Sequence, residues 1–331
     1  MNRELYFTTT SCINPFANLA MEEAMLQAVK PGQIIFFLWQ NQNTVVIGRN
    51  QNPWKECRLD LLEEEGGTLA RRITGGGAVF HDLGNLNFSW IVSRPHYQLE
   101  KQLEVILQAL RSLGVPAVFS GRNDLAFGEG AGSFSGAKFS GNAFSFTETG
   151  GLHHGTLLVD VDMSKLGRYL VPSVLKMQSK GIESVRSRVA NLREVVPSIT
   201  FDELKASLCA CFAQVYGQVP LQVSPEALYS AANFDTILEK QRNWDWRFGS
   251  TPQFDIAWET KFSWGELSLN LTLREARLEC VQVYSDATDV EFIAALECCL
   301  KGVEFGPSVS KTVMGLGGKG EEVGIWLQSL I

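Results

Sequence analysis

Apolar residues recur at helical spacing in three long stretches of this chain, and strand-like runs fill the segments between them. Phe16, Leu19, Ala20 and Leu26 share one helical face, and Asn14-Pro15 before them supplies an N-cap followed by a proline suited to the first turn. A second stripe runs through Leu99, Leu103, Ile106, Leu107, Leu110 and Leu113 and stops at Gly114 and Pro116. The third carries Leu204, Leu208, Phe212 and Val215 behind a capping box of Thr200 and Glu203. Ile34–Gln40 and Thr44–Arg49 are rich in β-formers, and Asn41-Gln42-Asn43 between them predicts a hairpin. Further strands are expected at Leu86–Val92, Phe139–Phe146 and Gly155–Val161. Gly128–Gly136 has no period and reads as a mobile loop.

The pattern changes near Phe248. Beyond it come alternating segments at Phe254–Glu259, Lys261–Leu273 and Arg277–Tyr284, a helix from about Asp289, and a glycine-rich tail. This predicts a large domain over 1–247 and a small C-terminal α/β domain over 248–331. A chain of 331 residues suits about two domains at roughly 150 residues each. Strands and helices do not alternate regularly, so the fold class is α+β, with mixed β-sheets flanked by helices.

Composition narrows the function classes. A net charge of −7 argues against a nucleic-acid binder. The apolar run Ile34–Trp39 is far too short to span a bilayer, and Met1–Glu4 has no signal pattern, so a cytoplasmic protein without membrane attachment is expected. The seven cysteines have no metal-ligand spacing and read as reduced thiols, and four histidines are few for a zinc site.

The densest chemistry lies in RRITGGGAVFHDLGN, Arg71–Asn85. Three successive glycines strip side chains from a backbone that must turn freely or approach something closely. With arginines before them and a His-Asp pair after, they suggest a cradle for an anionic ligand such as a nucleotide phosphate. The run fits neither the Walker pattern nor the spaced dinucleotide fingerprint, and a turn or bulge between strands explains it as well. Polar and glycine residues also crowd Gly121–Asp124, Lys138–Ala143, His153–Thr156 and Gly181–Leu192, the last containing Arg186 and Arg188.

These segments together resemble the lipoate–protein ligase A family. The matching motifs are RRITGGGAVFHDLGN, GRNDL, AKFSGNAF, HHGTLL and KGIESVRSRVANL, with NPWKEC and WDWRFG beside them, in the family's order and across nearly the whole chain. The resemblance implies a large catalytic domain like that of biotin ligases and class II aminoacyl-tRNA synthetases, followed by a small accessory domain. It implies ATP-dependent, Mg²⁺-assisted conversion of lipoate to lipoyl-AMP. The lipoyl group then passes to a lysine on lipoyl domains of 2-oxoacid dehydrogenase E2 subunits or on the glycine-cleavage H protein.

By the same resemblance Lys138 is the catalytic lysine, touching both the carboxylate and the α-phosphate. Arg72, Gly75, Gly76, Gly77, Ala78, Val79, Phe80, Asn123 and Asp124 bind the nucleotide, with Asp124 also holding Mg²⁺. From the residues themselves, Arg71 ranks second to Arg72 for the phosphate and serves equally as a surface or interdomain ion-pair residue, His81 and His154 read as polar supports for the loop or as members of the ligand shell, and Arg186 and Arg188 meet pyrophosphate or the interdomain surface. Trp39, Val46, Val79 and Phe88 are candidates to line an acyl groove, though core packing explains them equally. Related transferases use a cysteine thioester, but no cysteine lies between Cys57 and Cys209, which leaves adenylation. The loop from Asp124 to Lys138 is richer in Gly and Ser than is usual and is expected to act as a lid that orders on ligand. A lipoyltransferase fed with preformed lipoyl-AMP, and a non-catalytic lipoate-binding protein, remain as alternatives.

Overall fold

A computed structural model of the chain describes residues 3–120, 123–171, 189–248, 256–274 and 277–331. The strands of the larger region are β1 (Glu4–Thr9), β2 (Gln33–Trp39), β3 (Thr44–Ile47), β4 (Thr68–Arg71), β5 (Val79–His81) and β6 (Asn85–Ser93). They continue with β7 (Ala117–Ser120), β8 (Asp124–Phe127), β9 (Lys138–Phe146), β10 (Gly150–Leu158) and β11 (Leu221–Gln222). Eight of them form one sheet in the order β11-β1-β2-β6-β10-β9-β8-β7. β1 is parallel to both its neighbours, and from β2 to β7 every pairing is antiparallel. β4, β3 and β5 make a separate three-stranded sheet.

The large sheet is covered on both faces, which is why β2 reads as a continuous apolar run, while β6 is buried throughout but alternates Asn85, Asn87 and Ser89 with Leu86, Phe88 and Trp90. Successive side chains of β2 divide between two cores, as a two-residue period demands. Ile34, Phe36 and Leu38 join Trp90, the helix Leu99–Ser112 and the helix Phe201–Tyr216. Ile35, Phe37 and Trp39 join Leu19, Met21 and Met25 of the helix Pro15–Ala28. Asn14 caps that helix and Thr200 with Glu203 boxes the start of Phe201–Tyr216, as the sequence predicts.

Four local expectations change. Asn41–Asn43 is not a hairpin: β2 pairs with β1 and β6, β3 pairs with β4 and β5, and the turn carries the chain from one sheet to the other. Gly128–Gly136 is a packed 3₁₀ segment over Glu129–Phe134, not a mobile loop, because Ala131 is buried and Phe134 packs on the core. That packing also counts against a lid that orders only on ligand. β10 starts at Gly150 rather than Gly155, which places both His153 and His154 within the strand. The glycine-rich tail folds into the helices Pro307–Met314 and Lys319–Gln328.

The C-terminal region is a three-stranded antiparallel sheet of β12 (Ile256–Phe262), β13 (Gly265–Arg274) and β14 (Arg277–Ser285). Helices cover it, the first being Val290–Leu300 with Asp289 as N-cap, and they share a hydrophobic core of its own with the sheet. The fold is thus the expected α+β arrangement.

The packing generates a stability prediction. Phe36 stacks on Trp90 with ring centroids 3.9 Å apart, and Phe212 meets both rings edge-on. Phe36→Ala is expected to cost about 3–5 kcal/mol in urea unfolding. Val219→Ala, at a side chain 80% exposed, should stay within about 0.5 kcal/mol of the parent.

Candidate active site

A cavity opens between one face of the large sheet and the small sheet with its glycine loop. It has a volume of about 150 Å³ and opens to solvent at its mouth. The floor follows from register. Thr156 pairs with Asn87 and His154 with Ser89, while Asn87 also pairs with Trp39 and His154 with Ala143. Paired positions share a face, so Trp39, Asn87 and Thr156 form one row and Ala143 and His154 the next, all lining the cavity. Opposite them stand Val46, Val79, His81 and Gly76–Ala78, with Leu19 at the side. Three of the four groove candidates therefore line it. Phe88 does not: its ring lies on the other face, where a Cβ on Gly155 would meet it at 2.5 Å.

Lys138 opens β9 at this cavity. Its ammonium lies 2.6 Å from Asp124 Oδ1, and both side chains are little more than one-third exposed. A Cβ on Gly141 would stand 3.0 Å from Lys138 Nζ, so Gly141 leaves the room in which the ammonium sits. Asn123 and Asn142 clamp β8 to β9: Asn123 Nδ2 donates to Asn142 O at 2.8 Å and Asn142 Nδ2 to Asn123 O at 3.0 Å. His153 holds the clamp from the core face, with Nε2 2.9 Å from Asn142 Oδ1 and Nδ1 2.8 Å from the Gln102 amide. Asn142 Nδ2 is already committed, so its oxygen accepts from His153 Nε2–H. Burial and the neighbouring His154 push His153 down to about 3, so it is neutral. Gly121 and Arg122 of the same motif, like Arg186 and Arg188, lie outside the described residues.

The glycine triplet divides its labour. A Cβ on Gly75 would meet Ala287 O at 2.4 Å, so Gly75 packs against the C-terminal region rather than lining the cavity. Gly76 adopts φ +91° and donates its N–H to Ala287 O at 3.1 Å. Only Gly77 faces open space.

Arg72 is buried, and its guanidinium turns inward instead of forking outward. Nη2 donates to Gly75 O and Gly77 O at 2.8 and 2.7 Å, Nη1 to Val46 O at 3.1 Å, and Nε to Thr74 Oγ1 at 3.0 Å. Those bonds hold the loop, and a remaining Nη1 hydrogen is what the cavity-lining guanidinium has left for a ligand. Arg71 is neither exposed nor ion-paired in the described contacts. It donates to carbonyls of Gly48, Arg49, Gln51, Trp246 and Arg247, tying distant segments to β4. Ala78 and Val79 line the cavity, whereas the Phe80 ring is buried beside Tyr169 on the far side of the small sheet.

All seven cysteines are among the described residues and none lines the cavity. Burial pushes the Cys57 thiol up to about 12, the opposite of an activated nucleophile.

The family model described as the lipoyl protein ligase A/B catalytic domain matches residues 14–213, and that for the bacterial lipoate protein ligase C-terminus matches 251–315. The chain belongs to the lipoate–protein ligase family. It is 41% identical to the lipoate-protein ligase A of Psychrobacter cryohalolentis, over 91% of this chain and 89% of that protein. The crystal structure of Plasmodium falciparum LipL1 in complex with lipoate superposes with a TM-score of 0.83 at 27% identity, covering 98% of this chain and 99% of that one. A lipoate-protein ligase A bound with ATP gives a TM-score of 0.62 at 28% identity, over 75% of this chain and 99% of its own.

Against the family motifs, sequence reasoning missed Asn142, Gln102 and Thr74, whose side chains hold the lipoate–protein ligase site without carrying its charge. Asn142 stands in the quoted AKFSGNAF run and Thr74 in RRITGGG, so both were visible there. Gln102, on a helix, gave no signal.

The buried histidines set a pH dependence. His81, through burial and the Arg72 charge, and His153 are both depressed to about 3. An unfolded histidine titrates near 6.5. Between these values the unfolded chain binds more protons, so stability is complete above pH 6.5 and falls as pH drops toward 3. Unfolding free energy measured from pH 7 to 4 should decline less steeply in His153→Gln, by about one proton's worth of slope.

Proposed function

We propose that this chain is an ATP-dependent lipoate–protein ligase, activating lipoate to lipoyl-AMP and passing the acyl group to a lysine of a lipoyl domain. The observation that carries the reading is the Lys138 ammonium at the rim of an apolar cavity, across from a glycine loop held by a buried arginine. A carboxylate attacking an α-phosphate brings two anions together, and a compact cation with three donors is what that encounter needs. Trp39, Val46, Val79 and Leu19 supply the apolar surface for an acyl chain whose carboxylate ends near Lys138. Gly77–Val79, with Arg72 behind them, offer the nucleotide its close backbone approach, and Asn123 keeps Asp124 beside Lys138.

Among the described residues, no three His, Cys, Asp or Glu side chains gather into a metal cage. A Mg²⁺ that arrives on the phosphates, keeps most of its waters and takes one carboxylate fits this donor set, and Asp124 is that carboxylate. Bound there, it would screen phosphate charge. Residues 1–247 form the ligase domain in this reading and 248–331 the accessory domain. Acceptors are lipoyl domains of 2-oxoacid dehydrogenase E2 subunits and the glycine-cleavage H protein, in the cytoplasm, with the ligase acting as a monomer. Support for the acceptor class comes from the bipartite lipoate protein ligase of Thermoplasma acidophilum, described together with its E2 lipoyl domain. Its TM-score is 0.64 at 28% identity, over 77% of this chain and 100% of that one.

The test is lipoate-dependent pyrophosphate release from Mg-ATP, followed by a mass increase on one lysine of an added lipoyl domain. Transfer from preformed lipoyl-AMP without pyrophosphate release would make the chain a lipoyltransferase instead. Lys138→Ala is expected to keep its melting temperature and lower pyrophosphate release by about 10²–10³-fold. Near-parental turnover in that variant would remove Lys138 from the chemistry.

A further inference from the structure

A continuous line of buried polar groups runs from the helix Pro15–Ala28 to the glycine loop. Glu22 is 1% exposed, and its Oε1 lies 2.8 Å from His154 Nδ1 and accepts from Ser89 Oγ at 2.5 Å. His154 Nε2 lies 2.8 Å from Thr74 Oγ1, and Thr74 Oγ1 accepts from Arg72 Nε at 3.0 Å. Arg72 then holds the carbonyls of Gly75 and Gly77.

Arg72 only donates, so the Thr74 oxygen accepts from it. The Thr74 hydroxyl and the His154 ring together bridge the buried guanidinium to Glu22, each engaged on both sides by a neighbour. Thr74 is 0% exposed and is not among the residues that line the cavity. His154 is, so the line connects the cavity floor to the loop on its opposite wall.

We propose that Thr74, backed by His154 and Glu22, is a positioning residue for the nucleotide: it fixes the Arg72 guanidinium and, through it, the peptide planes of the glycine loop. This rests on the reading of the loop as the ATP-binding wall of a lipoate–protein ligase. Removing the hydroxyl leaves the cavity lining untouched but lets the guanidinium and the loop carbonyls rotate. The consequence falls on the nucleotide and not on the acid.

The experiment measures direct binding of Mg-ATP and of lipoate separately to the full chain by calorimetry, for the parent, Thr74→Val and Thr74→Ser. Thr74→Val is expected to weaken ATP binding about tenfold with lipoate binding changed less than twofold, and Thr74→Ser to restore ATP binding. Equal weakening for both ligands would mean a general structural role and overturn the proposal, as would unchanged ATP binding in Thr74→Val. Should Thr74→Val not fold, Thr74→Ala removes the same hydroxyl with less bulk. The same selective loss for ATP supports the proposal there, and its absence overturns it. If the parent itself binds no ATP, the ligase reading fails, which is a result separate from any difference among the variants.

Discussion

A guanidinium removed from water must find an oxygen for nearly every hydrogen it carries, and that demand organises the centre of this protein. Leaving such a charge buried and unpaired costs several kcal/mol. Arg72 meets the demand with loop carbonyls, a threonine hydroxyl and the strand carbonyl of Val46. Arg71, the next residue back, does the same toward Gly48–Gln51 and Trp246–Arg247. Two adjacent arginines, one ending β4 and the other just beyond it, therefore fasten two different sets of irregular backbone. A loop of three glycines has little conformational preference of its own. Here its shape is imposed by the donor it surrounds.

The large sheet acts as a partition through the middle of the site. His153 and His154 are consecutive on β10 and face opposite sides of it. His153 reaches from the core face to the Asn142–Asn123 clamp, and so to the wall that carries Asp124 and Lys138. His154 reaches from the cavity face to Thr74 and the glycine loop. Each histidine is spent on hydrogen bonds to neighbouring side chains, so the charged groups at the cavity rest on fully engaged supports. This explains how residues from β4, β8 and β9, far apart in sequence, hold a common geometry around a largely apolar space.

The C-terminal region enters the same geometry through backbone hydrogen bonds. Ala287 O accepts from Gly76 N, and Ser285 N donates to Asn50 O at 2.8 Å. Gly75 has no side chain because Ala287 and Thr288 occupy that space. Gly75 thus belongs to the contact between the two regions, Gly76 to that contact, the turn and the cavity wall together, and Gly77 to the cavity.

Much of this protein was legible in its residues. The helical stripes, the caps at Asn14 and Thr200, the helix start near Asp289, the α+β class and the segments that meet at the site all follow from short-range pattern and motif. Local stereochemistry governs those features, and local stereochemistry is written in consecutive residues. What the chain alone did not decide was direction. Arg72 in a motif looks like a hand extended to phosphate, yet burial turns it onto carbonyls of its own loop. Phe88 and Trp39 look alike as apolar strand residues, yet register sends one to the core and the other to the cavity. Asn41–Asn43 looks like a hairpin, yet the following strand finds its partners in another sheet. In each case the outcome depends on which buried groups elsewhere need a partner or a space, and that competition is settled only when the whole chain has packed.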